Sequence, residues 1–218
     1  MSANYTFREI DGLTKFLKLL LILGAVLAVV SLFSSLMQAE LLSRENFTEE
    51  EGQANDARET LIGFAQLGVY LFTVVIFSCW IVRANKNVRA LGAGGLRITP
   101  GWAVGYFFVP IVNLWRPYQA MSDLWRASRN PGSWVATAAG AILPAWWTLW
   151  LAANILGQAS FRASMAAKTL EAVQVATYLQ AASQVADIPL CLVAMALVAQ
   201  IASAQEAHAQ TASVQTNA

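Results

Sequence analysis

An aspartate inside an apolar run is costly in lipid, and Asp187 stands in one, ASQVADIPLCLVAMALVAQI, two residues before Pro189. An intramembrane carboxylate marks either a pathway for an ion or a buried pairing. Near an outer boundary, about 7–8 Å deep at 1.5 Å per residue, Asp187 could pair with Arg58, Arg162 or Lys168. The second place where polar chemistry meets apolar sequence is residues 99–121, TPGWAVGYFFVPIVNLWRPYQAM, which carry Pro110, Asn113, Arg116 and Pro117. Asn113 and Arg116 could serve as polar ligands for a small solute or anion if the broken segment lined a cavity. Asp123, Arg116 and Arg126 are the candidate set for an enzyme acting on lipid at the inner interface.

Other chemistry finds no residues. The single histidine, His208, lies in a polar tail remote from Cys79 and Cys191, so thiolate and imidazole cannot be assembled into a metal site. Both cysteines sit in apolar runs and pack as small hydrophobes. No GxSxG or HExxH occurs, and the LGAGG of residues 91–95 follows a basic helix end where a phosphate loop would follow a strand. No catalytic residue, cofactor or metal is expected, and a protein without enzymatic activity is the favoured reading.

The elements that must position these residues are membrane helices. Hydrophobic residues make up 57% of the 218-residue chain and charged residues 12%, against roughly 25% charged in soluble domains; the mean hydropathy is +0.49. Four runs are long enough to cross a hydrocarbon core of about 30 Å: residues 17–37, 61–82, 134–156 and 182–201. The first reads as an uncleaved anchor, because Met37 stands where signal peptidase needs a small residue. Membrane domain 1–202 is followed by a polar, disordered cytoplasmic tail, 203–218.

Charge sets the expected topology. The connector 40–59 holds Glu40, Glu45, Glu49, Glu50, Glu51, Asp56 and Glu59 against Arg44 and Arg58, and Thr48 with Glu51 has the spacing of a capping box. The connector 83–97, RANKNVRALGAGGLR, is purely basic, and Gly92, Gly94 and Gly95 end its helix. If 99–121 crossed, Arg116 would enter the bilayer at a cost of about 2.5–3.5 kcal/mol at its centre, and Arg126 and Arg129 would be delivered outside. If it turns back, Arg8, Lys15, Lys18, Arg83, Lys86, Arg89, Arg97, Arg116, Arg126 and Arg129 all stay inside, which is ten of the fourteen bases and satisfies the positive-inside rule.

The sequence therefore predicts an all-α integral membrane protein with four transmembrane helices, both termini cytoplasmic, and a broken re-entrant or interfacial helical hairpin over 99–130. Its tip falls at Pro110–Asn113, and its returning arm is amphipathic, with Leu114, Tyr118, Met121 and Trp125 opposite Gln119, Ser122, Asp123, Arg126 and Arg129. Asp123 and Arg126 are spaced for an ion pair, and Trp102, Trp115, Trp125 and Trp134 suit an aromatic belt. The first and last span pairs share an order that an internal duplication would produce.

The basic connector RANKNVRALG followed by TPGWAVGYFFVPIVNLWRPYQAMSDLWRAS resembles the hallmark of a bacterial membrane-protein family, domain of unknown function 4328. The matching positions are Arg83, Asn85, Gly101, Trp102, Pro110, Asn113, Leu114, Pro117 and Tyr118. The resemblance covers about residues 80–130 and implies a multi-pass protein of the bacterial inner membrane; it brings no activity, ligand or catalytic residue with it. A sensor, scaffold or accessory module is the favoured role, with a small-solute or ion transporter or channel, and then a lipid-acting enzyme, as alternatives. The expected partners are the lipid bilayer and either a second copy of the chain or another membrane protein, and not nucleic acid.

Overall fold

The computed structural model describes residues 5–44 and 46–216, without the side chains of Ser213, Gln215 and Thr216; Glu45 of the acidic connector and the last two residues lie outside the described residues. Among them the structure is helical, with no strand. Four long helices carry it: α1 (Asp11–Ser43), α2 (Glu49–Ala90), α5 (Ile142–Ala166) and α6 (Leu170–Thr216); α3 (Trp102–Gly105) and α4 (Arg116–Arg129) lie between α2 and α5. In lipid this is the expected solution, because a helix satisfies its own backbone polar groups.

Local chemistry explains the boundaries. Thr48 opens α2 with the anticipated box: its N–H donates to Glu51 Oε2 at 2.8 Å, and the Glu51 N–H donates to Thr48 Oγ1 at 3.2 Å. The backbone N–H of Thr48 holds the Glu51 carboxyl below its ordinary range, helped by the Thr48 hydroxyl. Glu51 therefore adds to stability above its unfolded pKa, an increment lost as the pH falls through the lower folded value. At its other end α2 closes on Gly92, with φ 98°, where Ala93 N–H reaches Val88 carbonyl at 3.0 Å and Gly92 N–H reaches Arg89 carbonyl at 3.1 Å. That is a Schellman ending, which favours glycine at the positive-φ position.

Three helices, α1, α2 and α6, are long and apolar enough to cross a membrane. The expected span 134–156 is corrected: residues Pro131–Ala136 form 3-10 turns, the helix begins only at Ile142, and it runs on to Ala166. Asn130, Pro131 and Gly140 hold off the helix, while Trp146, Trp147, Trp150, Asn154 and Gln158 dilute the hydropathy of α5. The tail expected to be disordered from 203 is also corrected, being helix to Thr216. Alanine and glutamine are good helix formers, and Gln205 in this stretch is fully buried.

The chain forms two compact units: residues 1–19, 73–147 and 194–218 in one, and residues 20–72 and 148–193 in the other. In the first, Trp80 is buried and donates from Nε1 to Thr14 Oγ1 at 2.9 Å, and Asn87 bridges the backbone of Arg8 in both directions, at 3.0 and 2.8 Å. In the second, Ser34 of α1 donates to Glu59 of α2 at 2.5 Å and accepts from Arg58 Nε at 2.8 Å. A cleft of about 230 Å³ there, lined by Glu40, Arg44, Glu51 and Arg58 among others, has its charges engaged, Arg44 with both Glu40 and Glu51.

Packing in the first unit leaves no room at one glycine. A Cβ at Gly140 would lie 2.5 Å from Trp125 Cζ2, whereas one at Gly132 would meet nothing within 4 Å. Gly140→Ala should cost about 1–3 kcal/mol in thermal unfolding of the purified protein, as overpacking does, and Gly132→Ala much less. Equal losses at the two sites would contradict this packing.

Candidate functional site

The segment between α2 and α5 folds back on itself: α3 lies against α4, and the 3-10 turn Tyr106–Phe108 lies against the turn Val112–Leu114. The reversal sits where the sequence placed it. Pro110 carbonyl accepts from Val112 N–H at 2.7 Å around Ile111, whose φ of 67° and ψ of −52° describe a γ-turn of the strained, positive-φ kind. A β-branched residue there is a genuine outlier, and such strain persists only where surrounding structure enforces it.

Apolar side chains crowd that reversal and point away from the protein. Ile111 is 72% exposed and Phe108 68%, and Leu114, Trp115 and Trp102 are also exposed. Arg116, just past the tip, is held within the hairpin: its guanidinium lies 5.7 Å from the centre of the Tyr106 ring, and Nη1 donates to Gln119 at 3.3 Å. Pro117 is buried in the first turn of α4, where its missing N–H costs nothing. Tyr118 packs on Trp147 with ring centres 6.2 Å apart, and Trp102 on Tyr106 at 5.0 Å. Pro110 is exposed, and Asn113 is half-buried with its backbone N–H on Val109 carbonyl at 3.0 Å.

The base of the hairpin is polar and buried. Asp123 is only 2% exposed, and Arg97 grips it with both arms of its guanidinium, Nε to Oδ2 at 3.0 Å and Nη2 to Oδ1 at 2.5 Å. The Asp123 hydrogen bond holds the Arg97 guanidinium charged, above its ordinary value. The Asp123–Arg126 pair expected from spacing is therefore corrected: a fork that meets both carboxylate oxygens outcompetes a neighbour three residues along the same helix. Arg126 is left with its Nε buried and without a partner.

Around the pair, Arg89 donates to the carbonyls of Asn85 at 3.1 Å and Ile98 at 2.7 Å, while burial lowers its pKa from the ordinary value. Asn85 is buried and donates to Ile81 carbonyl at 3.3 Å; Arg83 donates to Glu9 carbonyl at 3.3 Å. Gln205 of α6 donates to Ala84 carbonyl at 3.1 Å and to Ser128 Oγ at 2.9 Å, tying α6 to α2 and α4. His208 meets Arg129 carbonyl through Nε2 at 3.0 Å.

Two expectations change here. α4 is not a one-sided interfacial helix, since Ser122, Asp123 and Ser128 are buried along with Met121, Leu124 and Trp125. Nor do the four tryptophans form one exposed belt: Trp102 and Trp115 are exposed, but Trp125 is buried against Arg129, 4.3 Å from its guanidinium, and Trp134 is buried with Nε1 on Gly94 carbonyl at 2.8 Å.

The candidate catalytic set Asp123, Arg116 and Arg126 is not brought together, as Asp123 belongs to Arg97 and Arg116 to Tyr106. Asp187 lies in the second unit, half-buried, its Oδ2 3.5 Å from Ser183 Oγ. The pairing with Arg58, Arg162 or Lys168 does not form among the described residues; Arg58 is engaged with Ser34 and Asn55. Both cysteines are free, Cys79 exposed and Cys191 half-buried. Sequence reasoning missed Arg97 as the partner of Asp123 and missed Gln205; the polar residues of 203–218 would have pointed to a buried glutamine only if read as helix.

A family model, domain of unknown function (DUF4328), matches residues 43–203, and the chain belongs to that family. No curated protein and no solved structure matches significantly.

The Arg97–Asp123 pair is asymmetric in burial, and its two truncations should differ. Arg97→Ala leaves a buried carboxylate alone, at a cost of about 3–5 kcal/mol. Asp123→Ala frees a guanidinium whose side chain is already 56% exposed, so water compensates part of the loss and about 1.5–3 kcal/mol is expected. Thermal unfolding in detergent should rank Arg97→Ala as the worse variant; the opposite ranking would contradict the geometry.

Proposed function

We propose that this DUF4328 protein is a non-enzymatic, multi-pass module of the bacterial inner membrane, with both termini cytoplasmic, whose hairpin 99–130 is held by its base on the cytoplasmic side and presses its tip into the inner leaflet. α5 acts as a fourth, less apolar crossing, packed among the others. The observation that carries the reading is the exposed cluster of Phe108, Ile111, Leu114 and Trp115 around the γ-turn. An apolar patch of this kind on a rigid, strained turn suits hydrocarbon and is poorly suited to water.

The polar groups of the hairpin support a scaffold or sensor role over a transporter lined by 99–121. Arg116, the charged one of the two ligands such a solute would need, is held by Tyr106 and Gln119, and Asp123 is held by Arg97. A hairpin whose tip feels the leaflet and whose base contacts α2 and α6 links the state of the lipid to the cytoplasmic ends of those helices. A second copy of the chain or another membrane protein would read that link.

The topology decides the reading. Single cysteines at Glu50, Gly94, Asn130 and Thr211, in a background lacking Cys79 and Cys191, should label from opposite sides: Gly94, Asn130 and Thr211 only in inverted vesicles, and Glu50 only in intact cells. Labelling of Asn130 from outside would show that 99–121 crosses, and the proposal would fail.

A further inference from the structure

The second unit holds polar groups that the hairpin does not explain. Ser31 and Ser35 of α1 are 0% and 1% exposed, and neither hydroxyl has a partner. A helical serine ordinarily satisfies itself on the carbonyl one turn back, and a buried hydroxyl left without a partner is costly and asks for a ligand or water.

Helix geometry shows what these hydroxyls face. At the start of α1, Asp11 and Lys15 feel the charge of Glu206 near the end of α6, and further along Gly24 meets Cys191, so the two helices run antiparallel. Their register is fixed at Gly24, where a Cβ would lie 3.5 Å from Cys191 Sγ. Ser31 and Ser35 follow Gly24 by seven and eleven residues, which at 3.6 residues per turn returns them to within about 20° of the same face. Counting back seven from Cys191 along α6 gives Gln184, level with Ser31, and counting back four gives Asp187, one turn nearer Gly24.

Asp187 has no ion pair among the described residues, only the Ser183 hydroxyl at 3.5 Å. Gln184 is buried and accepts from Gln66 of α2 at 3.1 Å, and Ser183 Oγ would meet a Cβ at Gly157 of α5 at 3.5 Å. Helices α1, α2 and α6 thus contribute polar groups to this layer, and α5 closes against it at Gly157.

The donors of this layer are hydroxyl, amide and carboxylate oxygens, a hard set that suits alkali and alkaline-earth cations. It contains a single carboxylate, and among the described residues no three histidine, cysteine, aspartate or glutamate side chains converge as a metal set. We propose that this layer binds one alkali-metal cation, with Asp187 supplying the counter-charge and Ser31 and Gln184 supplying neutral oxygens. The site is independent of where the hairpin sits.

The test is equilibrium binding of radiolabelled sodium to the full chain in lipid nanodiscs, with unlabelled Na⁺, Li⁺, K⁺ and choline as competitors. Saturable binding, displaced by alkali cations and not by choline, is expected. Asp187→Asn, nearly the same shape, should abolish it, and Ser31→Ala should weaken it about tenfold, the scale of losing a hydrogen-bond-strength contact to a charge. Size-exclusion profiles report whether each variant is folded; if Asp187→Asn is not, the Ser31 variant decides alone. No saturable binding, binding unchanged in Asp187→Asn, or affinity unchanged in the Ser31 variant would each overturn the proposal.

Discussion

The carboxylate of Asp123 cannot be left alone where it is, and much of the first unit is arranged around that fact. Buried to 2% exposure on α4, it needs a cation that arrives with correct geometry, and Arg97 provides it from the connector after α2. Closing that contact brings the chain from the end of α2 back over α4, which fixes where the intervening segment starts and ends. Between these two points the chain must reverse within a few residues, and it does so through a γ-turn at Ile111 that an unconstrained chain would avoid. Gln205 and Ser128 hold the other side of α4 in the same way, with α6 as the support.

Much of this frame could be read from residues alone. The apolar runs that became the middle of α1, α2 and α6 are unambiguous in length and composition; Thr48 and Glu51 started α2 by the chemistry their spacing implies, and Gly92 ended it. The reversal at Pro110–Asn113 was legible because prolines and an asparagine interrupt an apolar run. The remainder was hidden for identifiable reasons. Asp123 has a basic residue three positions along its helix, and local spacing cannot reveal that a guanidinium 26 residues earlier in the chain fits better. Residues 203–216 look like a solvated tail by composition, since only the tertiary structure shows that Gln205 has a carbonyl and a hydroxyl to bond. The periodicity of α4 suggested a wet face that packing covers, and the apolar stretch 134–141 before α5 reads as part of a span until Pro131 and Gly140 are seen to delay the helix.

Each unit keeps some buried polar atoms without a partner among the described residues. In the first, Trp125 Nε1, Arg126 Nε, Gln205 Oε1 and Glu206 Oε1 are left over, while the paired groups fix the hairpin: Asn85 with Arg89, Asn87 with Arg8, Asp123 with Arg97, Gln205 with Ser128. Such a network rigidifies what it joins. In the second, among the described residues, the Ser31 and Ser35 hydroxyls have no partner and Asp187 forms no ion pair. The proposed lipid-facing hairpin and the proposed cation layer are compatible with one membrane module, and each can be tested without the other.

The central claim is that the tip of the hairpin lies in the hydrocarbon of the inner leaflet while its base stays outside it. The direct measurement is depth-dependent fluorescence quenching in nanodiscs, with an environment-sensitive probe at Ile111 and, separately, at Asn130, using lipids brominated at defined acyl positions. Strong quenching of the Ile111 probe by acyl-chain bromine, with the Asn130 probe quenched only by a water-soluble agent, is the result this account predicts. A probe at Ile111 that is quenched from water and not from the acyl chains would contradict it.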